Sequence, residues 1–323
     1  MACFNDWPSF NRMLPELDVF LSEAGLTAEV VVVDDASTEE IVPFAQESTP
    51  FESIEGIVII NLTRNLGNQR AMTIGVAWVA NNRPCDYLVL MDADHEDKPS
   101  DIPALIEASD RNDGKRVIFA ARAKRADGSF FRAFYAAYKL LYRTLVGTSI
   151  SFGNFSVIPG NLVRRVAAIG EIWIHYPAGI ISSRIPYASI AVERGQRLLG
   201  TSKMRFVNLA IHAINGFSVH ADAAGVRLML FLVATSIVFS IGIGVSVALR
   251  LWTDVPMPGW TSQFVAILFN LVIQSVTAAM IMIFAVFSIR SSVPFIPLSE
   301  YQKFILDVQN YTPTVTDSQR ANS

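Results

Sequence analysis

Four carboxylates fall within six residues of the stretch Met91-Asp92-Ala93-Asp94-His95-Glu96-Asp97-Lys98-Pro99. Asp92, Asp94 and Glu96 alternate, and at the end of a strand alternate side chains share one side. Hard oxygen donors placed so suit a small divalent cation, Mg²⁺ or Mn²⁺, that bridges to a ligand's phosphates. Such a cation neutralises charge developing on a diphosphate leaving group. A bare D-x-D is also a common surface turn, so its setting decides. Here the acids follow the apolar run DYLVLM, and a second apolar run, EVVVV, ends upstream in Asp34 and Asp35. His95 inside the motif reads as a neighbour of the acids rather than a base. His175, His212 and His220 lack ligand spacing, and Cys3 and Cys85 form no zinc pair, which leaves a reduced cytoplasmic setting as the plain reading.

The elements that must position these acids alternate along the first half. Residues 29–35, 56–61, 86–91 and 115–121 are strand-like apolar runs, with helical stretches at about 68–81 and after Pro99. Continuous apolar strands separated by helices imply an α/β fold with a mostly parallel sheet covered on both faces. Ligands of such sheets sit beyond the carboxyl ends of the strands, where both acidic pairs fall. Residues 129–147 then change to a helical period, with an aromatic face and Arg132, Lys139 and Arg143 on another side. Residues 203–222 are similar, and both are expected to be amphipathic helices at a membrane interface.

Hydrophobic residues make up 51% of the 323 and charged residues 17%, and the net charge of −3 gives no case for a nucleic-acid partner. The apolar excess concentrates in residues 226–249 and 264–289, each longer than the roughly 20 residues that cross about 30 Å of hydrocarbon. Two spans make a hairpin, so residues 290–323 form a tail on the same side as the large domain. Arg194, Arg197, Lys203, Arg205, Arg227, Arg290 and Lys303 flank it there and Arg250 alone falls opposite, which places that side in the cytoplasm. The end of the tail, after Thr312, is polar and expected to be disordered. The N-terminus has neither a basic region nor an apolar run of the secretory type.

Taken together, VVVDDAST, NLTRNLGNQRAMTIGV, LVLMDADHEDKP, FAARAKR, FGNFSVI and RGQRLLGTSKM, followed by two spans, resemble the family 2 glycosyltransferases. The closer likeness is to their polyprenyl-phosphate branch, which is similar to dolichol-phosphate-mannose synthase. The resemblance implies a GT-A-type, Rossmann-like domain over residues 1–200. It implies an enzyme that moves a sugar, with inversion, from a UDP- or GDP-linked donor to a polyprenyl phosphate at the cytoplasmic membrane face, with self-association left open. It implies donor contacts from Asn5, Asp34, Asp35, Arg64, Asp92 and Ala93, with Asp92, Asp94 and Glu96 on the metal. It also implies catalytic roles for Asp94, Arg122 and Lys203, and acceptor-phosphate contacts among Arg122, Arg132, Ser202 and Lys203. The resemblance further implies that Asn154 lies in a segment near the acceptor.

Two departures stand out. Relatives carry Gln where this chain has Glu96, which adds negative charge. They also carry a strand ahead of the segment matched by Phe4-Asn5-Asp6, and here that strand is missing. Three rival functions share parts of this pattern. A processive synthase needs Q-x-x-R-W, which Gln196-Arg197-Leu198-Leu199-Gly200 does not match, and a nucleotidyltransferase needs a glycine-rich N-terminal loop. An inactive scaffold of the same fold is opposed by the intact acids and favoured by the missing first strand.

Overall fold

The computed structural model describes residues 1–39, 51–122, 140, 142–147, 150, 152–192, 214–253, 259–291 and 295–311. The chain divides into two units: residues 1–126, 150–219 and 295–323 form the first, and 127–149 with 220–294 form the second. The catalytic-type unit is therefore built from three stretches rather than from a continuous 1–200.

In the first unit, strands β1 (Ala2–Cys3), β2 (Ala28–Asp34) and β3 (Ile54–Leu62) run parallel, in that order. The strand expected to be lacking ahead of Phe4 is thus present in a two-residue form: Ala2 stands opposite Val33 and Cys3 opposite Asp34. A second sheet has the order β4 (Tyr87–Leu90), β6 (Ser156–Pro159), β5 (Val117–Arg122), β7 (Tyr187–Val192). There β6 is antiparallel to both neighbours, while β5 and β7 are parallel. Helices cover both faces, as continuous apolar strands require. Helices α1 (Trp7–Glu23) and α3 (Ile102–Asp110) share one core with Val32, Ile57 and Ile59. Helix α2 (Asn68–Asn82), α4 (Gly160–Ala167) and α5 (Tyr176–Ser182) share the other with Val33, Val58 and Ile60.

Residues 290–323 were expected to be a tail, and the structure corrects this. After a short helix α8 at Pro297–Glu300, residues Ile305–Tyr311 form β8, paired antiparallel with β3 from Ile57 to Leu62. Sheet A, β1-β2-β3-β8, therefore ends in a strand from beyond both apolar helices. Tyr301, 3% exposed, joins the same core as α2, so this return segment is anchored by burial as well as by its ladder.

Asp18 of α1, itself buried, pins the start of β3. Its Oδ2 accepts from the N–H of Glu52 at 2.9 Å, and its Oδ1 accepts from Ser53 at 2.8 Å and Ile54 at 2.9 Å. Asp18→Ala leaves these donors unpaired where the site excludes water. The expected loss is about 2–4 kcal/mol of unfolding free energy, read from the denaturant midpoint with an unchanged m-value.

In the second unit, α6 (Ala221–Trp252) and α7 (Trp260–Ser291) are each 32 residues long, about 48 Å at 1.5 Å per residue. Both are long and apolar enough to cross a membrane, and only 6% of the most apolar stretch of each is buried, where a core helix would be mostly covered. They extend past the expected 226–249 and 264–289 at both ends. The helices pack as an antiparallel pair: Gly225 of α6 faces Val286 of α7, and Gly242 faces Leu268. A Cβ on Gly225 would stand 2.7 Å from Val286 Cγ2, so glycine sets the closeness of that crossing. Of the expected interfacial helices, residues 142–146 and 214–218 are helical and most of the rest lies outside the described residues.

Candidate active site

The segment after β4 keeps the alternation that its sequence implies. Met91, Ala93, His95, Asp97 and Pro99 are buried, while Asp92, Asp94, Glu96 and Lys98 are half-buried. The three acids have the same half-buried exposure, and Lys98 joins the row. Two turns shape the segment from within. Asp97, 1% exposed, accepts the N–H of Asp92 through Oδ2 at 2.9 Å, and Asp94 Oδ1 accepts the N–H of Glu96 at 3.0 Å. Between them His95 takes a left-handed backbone at φ 66°, uncommon for a non-glycine residue, and its Nε2 contacts Glu16 Oε2 from α1. His95 thus braces the acidic loop against α1, consistent with its reading as a neighbour rather than a base.

The other strand ends close around this row. Asn68, in the first turn of α2, donates from Nδ2 to Asp92 Oδ1 at 3.1 Å. Asp35 lies at the end of β2 as expected, but it is 2% exposed and its two oxygens accept the N–H groups of Leu66 at 2.6 Å and Gly67 at 2.8 Å. It fastens the R-N-x-G segment onto the strand end. Burial raises its pKa above the ordinary carboxylate range, and the two N–H donors oppose that rise. Asp34 turns the chain locally, accepting from the Ser37 hydroxyl and N–H. Asn5, at φ 49°, accepts from the N–H of Thr38 at 2.8 Å and of Glu39 at 3.2 Å, so the β1 and β2 loops are knitted through one amide.

Arg64 is exposed between β3 and α2, and Ala93 is buried beneath the acids. Arg122 is the last residue of β5, opposite Val192 of β7. Arg132, Ser202 and Lys203 lie outside the described residues. Sequence reasoning missed a second junction. Gln69 accepts the Tyr176 N–H at 2.8 Å through Oε1 and donates from Nε2 to Asn154 Oδ1 at 3.0 Å. Neighbouring residues of α2 therefore reach the acidic loop and the Gly153-Asn154-Phe155 segment. Only the position of Asn68 and Gln69 at the start of a helix, beside a strand end, hinted at this.

Among the described residues, no three His, Cys, Asp or Glu side chains gather around one point. That does not disqualify a magnesium-type site, which uses one or two carboxylates and takes its remaining ligands from water and phosphate. Asp92 and Asp94 supply that donor chemistry, and their side of the loop is the less buried one. Glu96 shares their exposure without completing a three-carboxylate cage.

Comparison with known proteins agrees with this architecture. The model of "Glycosyl transferase family 2" matches residues 1–173, more than half of the chain. An uncharacterised glycosyltransferase of Bacillus subtilis is 26% identical over 247 residues, covering 73% of this chain and 72% of that protein. One from Synechocystis is 24% identical over 284 residues, covering 82% of each. An undecaprenyl-phosphate 4-deoxy-4-formamido-L-arabinose transferase of Edwardsiella ictaluri is 25% identical over 271 residues, covering 82% and 79%. With an acidic strand end, an α/β domain of matching order and relatives across most of its length, this chain belongs to glycosyl transferase family 2.

Proposed function

We propose that this glycosyltransferase moves a sugar from a nucleotide-sugar to a polyprenyl phosphate, at the membrane surface and on its cytoplasmic side. The observation that carries the reading is the placement of β8. The first sheet, whose β2 ends in Asp34 and Asp35, is completed by residues that follow a two-helix apolar hairpin, so the chain of the first unit both enters and leaves the hairpin. An even number of crossings returns the chain to the side it left, and the Arg and Lys residues flanking the hairpin favour the cytoplasm for that side. A relative spanning most of this chain bears the name of an undecaprenyl-phosphate transferase, which supports a lipid phosphate as acceptor.

The chemistry then follows from the acceptor. A polyprenyl phosphate is anionic near neutral pH, so its oxygen attacks the anomeric carbon without a protein base. That carbon–oxygen bond forms as the bond to the nucleoside diphosphate breaks, and single displacement inverts the anomeric centre. Mg²⁺ or Mn²⁺ held by Asp92 and Asp94, with Glu96 beside them, would offset the charge of the departing diphosphate. Asn68 orients Asp92, and Asp97 and His95 hold the loop. The loops knitted by Asn5, Asp34 and Asp35 shape the donor side, near Arg64. Arg122, Arg132, Ser202 and Lys203 are assigned to the phosphates of acceptor and donor.

The test is transfer of labelled sugar from a panel of UDP- and GDP-sugars to undecaprenyl phosphate, using membranes that contain the full chain. The expected result is a lipid-extractable product that requires divalent metal. Product of equal yield without lipid phosphate, or none from any donor together with no thermal protection by UDP or GDP and metal, overturns the reading.

A further inference from the structure

Helix α7 carries two amides near the middle of its apolar stretch. The candidate span runs from Trp260 to Ile289, which puts Gln274 within a residue of its centre and Asn270 about 6 Å along the axis from Gln274. Both side chains are exposed. Gln274 Nε2 donates to Asn270 Oδ1 at 2.8 Å, which satisfies one donor and one acceptor. Each amide offers two N–H donors and an oxygen with two lone pairs, so most of this capacity points away from the helix's own bonds. Hydrocarbon chains supply no partner, and an amide left unmatched there costs several kcal/mol.

The amides lie on a continuous seam. Ile267, Asn270, Gln274, Thr277, Ile281 and Phe284 follow steps of three and four residues, and every one is exposed. That spacing is the heptad seam by which two helices wind around each other. It is not the seam used against α6, where Leu268 and Ala279 are buried and Val286 meets Gly225. At 100° per residue the two seams are roughly 150° apart, so α7 can pack on α6 and on another helix together.

We propose that this outer face of α7 pairs with the same face of a second copy of this chain, through Asn270 and Gln274. An amide donates and accepts at once, so two identical amides across a two-fold axis satisfy each other, which a lipid or an anionic headgroup cannot do. Small polar side chains are the groups that join helices in membranes, and Thr277 allows close approach one turn from Gln274. The inference rests on α7 crossing the membrane, and the experiment separates the two.

Full-length protein in bilayers, with the exposed Cys85 replaced by Ser, is oxidised after introduction of Thr277→Cys. The expected result is a disulfide-linked dimer, and none from Phe269→Cys, about 12 Å away along the axis and on a different exposed side. Adding Asn270→Leu and Gln274→Leu to Thr277→Cys keeps the helix apolar and insertion-competent, and lowers the cross-linked fraction at least about tenfold. Undiminished cross-linking in the Leu variant, equal cross-linking through Phe269→Cys, or adducts to another protein alone overturns the pairing. Alkaline carbonate extraction reads the span separately: a chain that stays in the membrane yet remains monomeric refutes only the pairing, and a chain released into the wash refutes the span.

Discussion

Asp94→Ala abolishes metal-dependent transfer, with kcat/KM falling at least roughly a thousandfold and the melting temperature within a few degrees of the parent. In the described structure the Asp94 carboxylate holds a local turn by accepting the Glu96 N–H, a bond of about 1 kcal/mol net. Its proposed contribution to the reaction is far larger, because losing one group that stabilises the leaving charge in a site of low dielectric costs a hundred- to thousandfold, and here the cation is weakened with it. Asp94→Asn separates the two effects. The amide oxygen still accepts the Glu96 N–H while the charge is gone, so stability recovers and activity does not. Initial rates against metal concentration, with labelled donor and lipid phosphate, provide the measurement. Near-normal activity in either variant removes Asp94 from the reaction.

Truncation after Phe304, which removes β8, unfolds the catalytic unit although it leaves every acid in place. The ladder from Ile57 to Leu62 is lost, and β3 becomes a long apolar edge whose Val58, Ile60 and Leu62 are otherwise buried. A loss beyond about 4–5 kcal/mol is expected, comparable to the whole stability of many domains. The readout is aggregation in mild detergent and the absence of a cooperative urea transition. A chain in which residues 220–294 are replaced by a flexible linker, so that 295–311 can still reach β3, is expected to regain that transition. A truncated chain that melts within a few degrees of the full one shows that β8 is dispensable.

What the sequence made legible tracks the range of the interactions. Strands β2, β3 and β5 and helix α2 were readable because their apolar patterns are local and long, and so were the two hairpin helices. Strand β8 was not. Its residues ILDVQNY alternate only weakly, and their partner strand lies about 250 residues earlier, a pairing no window of periodicity can detect. Strand β1 was invisible for a different reason: two residues carry no pattern, and only parallel pairing with Val33 and Asp34 defines them. In the site, the alternating exposure of Asp92, Asp94 and Glu96 matches their spacing in the sequence, although turns rather than an extended strand produce it. The inward turn of Asp35 onto Leu66 and Gly67 could not be read, because it depends on which loop the fold brings to the end of β2. Asp97 was overlooked for the same cause. In a run of acids, sequence alone does not say which one is spent on the backbone.

The return of β8 to the first sheet also orders how the protein is made. Residues 305–311 leave the ribosome after both hairpin helices, so the sheet that ends in Asp34 and Asp35 lacks an edge strand until the hairpin has emerged. Under the proposed function, maturation of the enzyme is thereby coupled to insertion: a chain whose hairpin has not yet been made holds an unfinished sheet.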